Sequence, residues 1–385
     1  MEGVSEAERV RRWRLVLGGA DDGTGVALGG DDARIDAALA AVYDAPPRKR
    51  GGRVGGLGSS APGVARWLGD IRRYFPTSVV QVLQHDAIDR LDLKRLLLEP
   101  EMLAALEPDL HLVTTLLELN KLLPDASRAT ARQVVATVVE QIERRIARAT
   151  QQAVAGALAR SARTRRPRPG DIDWDRTIRT NLRHWLSEAR TLVPEHLVGY
   201  GRRQPAWQRD VIIAIDQSGS MADSVVYAGV YGAVLASLRT LRTHVVAFDT
   251  EVADLTEHLH DPVDVLFGVH LGGGTDIDRA IAYCETLIER PAQTVLILLS
   301  DLYEGGVRDA LVGRMAELVR QGVTCVALLA LSDEGAPSYD HDHAAELAAI
   351  GVPAFACTPD AFPDVLAAAL EGRVATGASR PGAGR

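Results

Sequence analysis

From Arg209 onward, short apolar runs alternate with stretches that have the length and spacing of helices. The apolar runs predict strands at Val211–Ile215, His244–Phe248, Thr294–Leu299, Val323–Leu331 and Val352–Ala356. Several of these runs are apolar at every position, as expected of central parallel strands that are covered on both faces. The alternation predicts an α/β fold with a doubly wound, mostly parallel sheet.

The chain before this alternation has helical spacing of its apolar residues and predicts an all-α domain. Pro100, Pro108 and Pro124 interrupt the pattern and predict helix ends. The predicted domains are a helical segment with a Gly/Pro-rich linker (1–63), a helical domain (64–162), a basic linker with a connecting helix to about Arg190 (163–207), the α/β domain (208–372) and a tail (373–385). The net charge changes from +6 in residues 1–207 to −14 in residues 208–385, which supports separate domains.

The composition and the cysteines of the chain indicate its cellular compartment. The chain is 46% hydrophobic and 24% charged, which is typical of a globular protein. No apolar run approaches the roughly 20 residues that span a bilayer, and the first residues lack the basic and apolar stretches of a signal peptide. Cys284, Cys325 and Cys357 have no metal-like spacing and predict buried, reduced thiols. We therefore expect a cytoplasmic protein that does not bind membranes.

Side chains with oxygen atoms lie directly after two predicted strands and just before a predicted helix. The first strand runs directly into a tight loop that carries Asp216, Ser218 and Ser220. Thr275 follows three glycines and precedes a predicted helix, and Asp301 follows the strand that ends at position 299. In doubly wound sheets, ligands bind at the carboxyl ends of the strands. Oxygen ligands without histidine or cysteine suit Mg²⁺ or Mn²⁺ rather than zinc, so we expect a site for such an ion.

This set of residues resembles the metal-ion-dependent adhesion site of a von Willebrand factor type A (VWA) domain. The order, intervals and structural context of the five positions agree with that family as well as the residue types. The resemblance implies that Ser218, Ser220 and Thr275 approach the metal directly. It implies that Asp216 and Asp301 act largely through water, and that a Glu or Asp of a protein partner completes the octahedron.

The helical front part resembles that of bacterial cytoplasmic CoxE-like proteins, which work beside MoxR-type AAA+ ATPases. The segments Trp67–Ile71 and Asp173–Ile178 carry this second likeness. It implies a metal-dependent adaptor or co-chaperone with a MoxR-type AAA+ ATPase as partner. The alternative is a Ro-like RNA-binding protein, which also joins helices to a VWA domain. A front part with a net charge of only +6 is short and weakly charged for that role.

Enzymatic interpretations find little support in the sequence. Gly272–Gly274 lacks the Lys-Ser/Thr ending of a P-loop, so nucleotide binding is not expected. Asp216 would need a second aspartate two residues later for haloacid-dehalogenase-type phosphotransfer, and Ser218 stands there instead. No Ser-His-Asp arrangement and no general base are evident, and we therefore expect no enzymatic activity.

Two further clusters of charged residues could bind a ligand or could simply face solvent. Asp340–His343 (Asp-His-Asp-His) could hold a second metal, but alternating residues before a helix are expected to face solvent or to cap the helix. The basic segments Arg48–Arg50 and 163–168 lack interleaved aromatic residues. They are expected to be solvated linkers, so nucleic-acid binding is not expected.

Overall fold

A computed structural model describes residues 9–11, 14–15, 26–43, 61–91, 93–161, 163–164, 172–186, 190–200, 209–268, 274–303, 305, 308–331 and 338–372. The chain divides into two compact units, Met1–Val138 and Val139–Arg385. The boundary between the units lies within the long helix Asp125–Ser161. The predicted domain boundaries after residues 162 and 207 stay predictions.

The first unit is helical, as predicted. Its helices are α1 (Gly30–Tyr43), α2 (Ala61–Tyr74), α3 (Thr77–Arg90), α4 (Pro100–Ala104), α5 (Leu110–Glu118) and the beginning of α6 (Asp125–Ser161). Pro100 opens α4, and Pro108 and Pro124 lie just before α5 and α6, so the predicted helix breaks are confirmed. The Trp67 ring is buried, and its Nε1 donates a hydrogen bond to the carbonyl of Ala38 at 2.9 Å. The segment around Trp67 is therefore part of the core.

An ion pair joins helix α3 to the start of helix α5. His85 Nε2 lies 2.9 Å from Asp109 Oδ2, and Asp109 Oδ1 caps α5 by accepting from the Leu112 amide. Burial of the His85 ring lowers its pKa, but the contact with Asp109 and the charges of Asp109, Asp89 and Asp86 outweigh burial. The pKa of His85 therefore lies above its ordinary value. The ring also packs against the ring of His111 on α5, with centroids 4.0 Å apart.

We expect this ion pair to make the stability of the first unit pH-dependent. A histidine whose pKa is raised by folding stabilises the folded state fully below its unfolded pKa, and it loses that contribution as pH rises through its folded pKa. Because the ring is partly exposed, we expect only about 0.5 kcal/mol. Urea unfolding of the intact protein near pH ~5 and pH ~8 should show a smaller pH effect in His85→Gln than in wild type. Equal pH effects in the two proteins would contradict the prediction.

In the second unit, small elements lie between the end of α6 and the main sheet. Arg163–Thr164 pairs with Gly199–Tyr200, and Trp185–Leu186 pairs with Thr191–Leu192, both antiparallel. Helix α7 (Trp174–Thr180) lies between these pairs. The prediction that this helix continues to about Arg190 is wrong. The Asn181 side chain bonds the backbone of the 195–196 segment, and this competing contact ends the helix.

The main sheet has the predicted doubly wound architecture. Its strands are β1 (Arg209–Asp216), β2 (Leu241–Phe248), β3 (Val252–Asp254), β4 (Thr294–Leu299), β5 (Thr324–Leu331) and β6 (Ala354–Cys357). The spatial order is β6-β5-β4-β1-β2-β3, and every neighbouring pair is parallel except the β2–β3 pair. The three-residue edge strand β3 was not predicted, because it is too short to show a hydrophobic pattern.

Helices cover both faces of this sheet. They are α8 (Ala222–Ala236), α9 (Pro262–Gly268), α10 (Ile277–Thr286), α11 (Arg308–Gln321), α12 (His341–Ala349) and α13 (Phe362–Leu370). Helix α8 is buried on nearly all sides. Gly232 allows its close approach to the sheet, since a Cβ there would lie 2.7 Å from Val245 Cγ2. The apolar spacing in the sequence predicts a helix over 224–242, and this prediction is wrong at its end, because Leu241 already belongs to β2.

The three cysteines are buried free thiols, as predicted. Burial raises the pKa of the Cys284, Cys325 and Cys357 thiols to about 12. Thiols with such a pKa are protonated near neutral pH and act as small apolar side chains. Among the described residues, no helix combines the length and the apolar character needed to cross a membrane.

Candidate metal centre

The sheet topology brings the ends of β1 and β4 together. From β1 the chain adds β2 and β3 on one side of the sheet, and β4, β5 and β6 extend it on the other. The order of strands therefore reverses between β1 and β4, which is where doubly wound folds bind ligands. Asp216 is the last residue of β1, and Asp301 lies two residues beyond the end of β4. Both aspartates thus lie at the switch point.

Four of the five predicted site residues are linked by hydrogen bonds. Asp216 Oδ1 accepts from the Ser218 amide at 2.9 Å. The hydroxyls of Ser218 and Ser220 lie 3.2 Å apart, and the Ser220 hydroxyl donates to Asp301 Oδ2 at 2.6 Å. The β1 loop and the β4 loop therefore meet through side chains that carry only oxygen donors.

Thr275, the fifth predicted residue, is joined to this group through its backbone. Its carbonyl accepts a hydrogen bond from the Gly305 amide at 2.9 Å, and Gly305 follows Asp301 by four residues. The next residue, Asp276, caps helix α10 by accepting from the Arg279 amide at 3.0 Å. In the described part of the chain, the Thr275 hydroxyl makes no hydrogen bond, which leaves its oxygen available to a ligand.

Ser300 supports the site and was not singled out from the sequence. It is fully buried, and its hydroxyl donates to Asp216 Oδ2 at 2.7 Å while it accepts from the Leu302 amide at 3.0 Å. The Ser300 side chain therefore orients Asp216 and holds the loop that carries Asp301. Its position next to Asp301 was the only signal for it in the sequence.

The loop after β4 has a strained backbone that several groups hold in place. Leu302 is buried and has a φ of 64°, in the left-handed region that is costly for a leucine. Its carbonyl contacts His343 Nδ1 at 3.1 Å, and the Asp301 carbonyl accepts from the Asp340 amide at 2.9 Å. Strained conformations persist where the surroundings over-determine them, and they cluster at functional sites. The start of α12 is thus a support for the candidate site.

The expectation for Asp340–His343 needs one correction. Asp340 caps α12 as expected, because its Oδ1 accepts from the His343 amide at 2.9 Å. His343, however, does not face solvent, since its side chain is buried against the carbonyl of Leu302. The described residues contain no group of three or more His, Cys, Asp or Glu placed to hold a metal. The alternating motif is therefore a cap and a loop support.

The electrostatics of the site favour a cation. The pKa of Asp216 is raised to about 6, because burial and the charge of Asp301 raise it more than the hydrogen bonds from Ser300 and Ser218 lower it. Both carboxylates are at least nine-tenths buried, so their repulsion is poorly screened by solvent. A divalent cation between them would offset both burial and repulsion. The all-oxygen donor set fits an ion of the Mg²⁺ class.

Comparisons with known proteins agree with this architecture. Residues 146–366 match the family described as "VWA domain containing CoxE-like protein". The uncharacterized protein YehP of Escherichia coli (strain K12) is 37% identical over 367 residues, which cover 94% of this chain and 97% of YehP. The relative and the chain therefore share nearly their whole length.

Solved structures with low sequence identity are also similar. The conserved hypothetical protein BatB from Bacteroides thetaiotaomicron has 15% identity and a TM-score of 0.35, with 43% of this chain and 98% of BatB covered. A von Willebrand factor type A protein from Catenulispora acidiphila has 15% identity and a TM-score of 0.32, with 46% of this chain and 44% of that protein covered. The family match over more than half of the sequence and the identity to YehP show that the chain belongs to the CoxE-like VWA-domain family.

Proposed function

We propose that this protein is a metal-dependent adaptor or co-chaperone that docks a carboxylate of a protein partner on a Mg²⁺-class ion. The observation that carries the proposal is the chain of hydrogen bonds from Asp216 through Ser218 and Ser220 to Asp301 at the switch point of the sheet. Membership of the CoxE-like VWA family supports an adaptor-like role, since VWA domains generally mediate protein interactions.

Each side chain has a distinct part in this proposal. The hydroxyls of Ser218, Ser220 and Thr275 would hold the ion, and Asp216 and Asp301 would supply the balancing negative charge. Since three of these ligands are neutral, the bound ion stays electrophilic toward an incoming carboxylate. Mg²⁺ and Mn²⁺ both accept such oxygen ligands.

An aromatic residue borders the site and suits a protein partner. Tyr303 follows the Asp301 loop, is 49% exposed, and its hydroxyl lies 2.5 Å from the Ser338 hydroxyl. Tyrosines that are held in place at the rim of a site are favourable contact residues in protein interfaces. We infer that Tyr303 packs against the residues beside the docked carboxylate.

The proposed partner rests on the resemblance to CoxE-like proteins, and the proposed compartment rests on the cysteines. A MoxR-type AAA+ ATPase is the proposed partner, the adaptor itself is proposed to be non-enzymatic, and the buried reduced thiols favour the cytoplasm. The comparisons give no support to the Ro-like RNA-binding alternative. A site lined by two carboxylates would also repel phosphates unless the ion were bound.

Calorimetric titration of Mg²⁺ and Mn²⁺ into the intact, EDTA-treated protein tests the metal site. We expect one ion per chain, loss of binding in Asp216→Ala, and roughly tenfold weaker binding in Thr275→Ala, because one neutral ligand is removed. Thr286→Ala is the matched control, since Thr286 is exposed at the far end of the helix that follows Thr275. No divalent binding by wild type, together with wild-type behaviour of Asp216→Ala, would refute the site.

Docking is tested separately with a purified MoxR-type ATPase. Binding should be lost in EDTA, restored by Mg²⁺ and weakened by Thr275→Ala, because the partner carboxylate needs the ion. An affinity that is unchanged by chelation would reject metal-mediated docking. A filter-binding assay with small structured RNAs addresses the alternative function, and tight, Mg²⁺-independent binding there would favour it.

A further inference from the structure

Large exposed apolar side chains are concentrated in one short stretch of the second unit. Within the described residues, this stretch contributes Trp174, Ile178, Leu182, Trp185, Leu186 and Val193, each at least 44% exposed. We call these six residues the tryptophan patch. Single exposed apolar residues are normal on protein surfaces, but six of them between positions 174 and 193 indicate a site of interaction.

Helix α7 and the turn after it expose their apolar side and bury their polar side. Trp174, Ile178 and Leu182 recur every four residues and are exposed, whereas Thr177 and Asn181 are fully buried. An amphipathic helix of a globular protein ordinarily has the reverse arrangement. The packing of the polar side therefore leaves the apolar side of the helix exposed.

A network of hydrogen bonds anchors helix α7 and the turn after it to the segment 195–198. The Asn181 amide donates to the carbonyls of Thr177 and His196 at 2.7 Å, and its Oδ1 accepts from the amides of Glu195 and His196. The Thr177 hydroxyl bonds both the amide and the carbonyl of Val198. A surface that is rigid before binding loses little conformational entropy when a partner docks.

Exposed arginines beside the patch can form ion pairs with an acidic partner. Arg176 and Arg179 lie on α7 and are exposed, and neither forms an ion pair with any residue in the described ranges. Arg183 is exposed as well and pairs with Glu195, while Asp175 is an exposed acid on the same helix. Tryptophan and arginine are the residues that dominate binding energy in protein interfaces.

We propose that the tryptophan patch binds an acidic amphipathic helix of a protein partner. The apolar face of that helix covers the two tryptophans and the aliphatic residues between them, and flanking Glu or Asp side chains pair with Arg176 and Arg179. None of the candidate metal ligands belongs to the patch, so this binding needs no metal ion. The protein then has a second docking surface, independent of the carboxylate-binding site.

The test uses a fluorescein-labelled synthetic peptide of about 18 residues, with leucines on one helical face and glutamates beside them. Two control peptides have the same composition with scattered leucines, or lysines in place of the glutamates. In EDTA, the intact protein should bind the first peptide at least about tenfold more tightly than either control, by fluorescence anisotropy. Because EDTA removes divalent ions, the result is separate from the metal-docking proposal.

Variants of the patch should change this binding in defined ways. Trp174→Ala/Trp185→Ala should weaken it about tenfold or more, and Arg176→Glu/Arg179→Glu should reverse the preference toward the lysine peptide. Val82→Ala is the matched control, because Val82 is 55% exposed in the first unit. If circular dichroism shows that Trp174→Ala/Trp185→Ala does not fold, Arg176→Glu/Arg179→Glu tests the proposal instead.

Several outcomes would overturn the proposal. Equal affinity for the three peptides, or affinity for the acidic peptide that neither set of variants changes, would show that the patch does not bind such a helix. Self-association that is lost in Trp174→Ala/Trp185→Ala would assign the patch to a second copy of this chain. If acrylamide quenches the fluorescence of wild type and of Trp174→Ala/Trp185→Ala to the same extent, these two tryptophans are not accessible. The protein itself would then cover the patch.

Discussion

Replacing Ser300 with alanine is expected to destabilise the VWA domain by about 2–5 kcal/mol. The buried hydroxyl bridges Asp216 Oδ2 and the Leu302 amide, and the substitution leaves both groups without this partner. Each buried polar group that loses its partner costs roughly 1–3 kcal/mol. The left-handed backbone at Leu302 adds to the effect, because it persists only while its surroundings hold it.

Urea unfolding of the intact protein in EDTA measures this effect without any contribution from bound ions. Ser237→Ala is the matched control, since Ser237 is exposed at the end of α8 and, among the described residues, its hydroxyl bonds only the nearby Val234 carbonyl. That substitution should change stability by no more than about 0.5 kcal/mol. If Ser300→Ala and Ser237→Ala unfold at the same urea concentration, the bridge does not stabilise the site.

The parallel sheet could be predicted because its signals are local in sequence. Strands such as Val211–Ile215 and Thr294–Leu299 are continuous apolar runs, and the structure places β1 and β4 over them. The aspartates follow these strands directly, so the known behaviour of doubly wound sheets was enough to predict that Asp216 and Asp301 lie close together. Strand β3 has only three residues and no pattern to detect.

The supports of the site could not be predicted, because they depend on distant parts of the chain. His343 contacts the Leu302 carbonyl across 41 residues, and this needs α12 to be placed beside the β4 loop. The Thr275–Gly305 contact likewise joins two loops that have no shared sequence pattern.

Two tryptophans also show that the sequence pattern does not tell which side chains are buried. Trp67 and Trp174 both lie in short motifs with helical spacing, and only the packing of the chain separates their roles. Trp67 is 5% exposed in the core of the first unit, whereas Trp174 is 56% exposed in the tryptophan patch. The apolar pattern of α7 predicts a buried face, but Thr177 and Asn181 occupy the interior instead. A helical period therefore identifies an element without telling which of its faces is covered.

Replacing Gly305 with alanine is expected to weaken Mg²⁺ binding about tenfold or more and to cost about 1–3 kcal/mol of stability. A Cβ at this position would lie 2.6 Å from the Thr275 carbonyl oxygen, which is closer than real Cβ contacts come. The obstacle is backbone, so it cannot move aside as a flexible side chain would. The hydrogen bond between the Gly305 amide and that carbonyl must lengthen or break. Thr275 then moves away from the loop that carries Asp301.

Gly313→Ala is the matched control for this substitution, eight residues further along the chain. Gly313 is exposed on α11, and a Cβ there would meet nothing within 4 Å. Alanine at this helical position should leave Mg²⁺ binding unchanged and stabilise the protein by up to about 1 kcal/mol. Calorimetric titration and urea unfolding of the three proteins distinguish the possibilities. Wild-type Mg²⁺ affinity in Gly305→Ala would mean that the spacing between the Thr275 and Asp301 loops does not control the metal site, and the ion would then have to depend on the β1 loop and Asp301 alone.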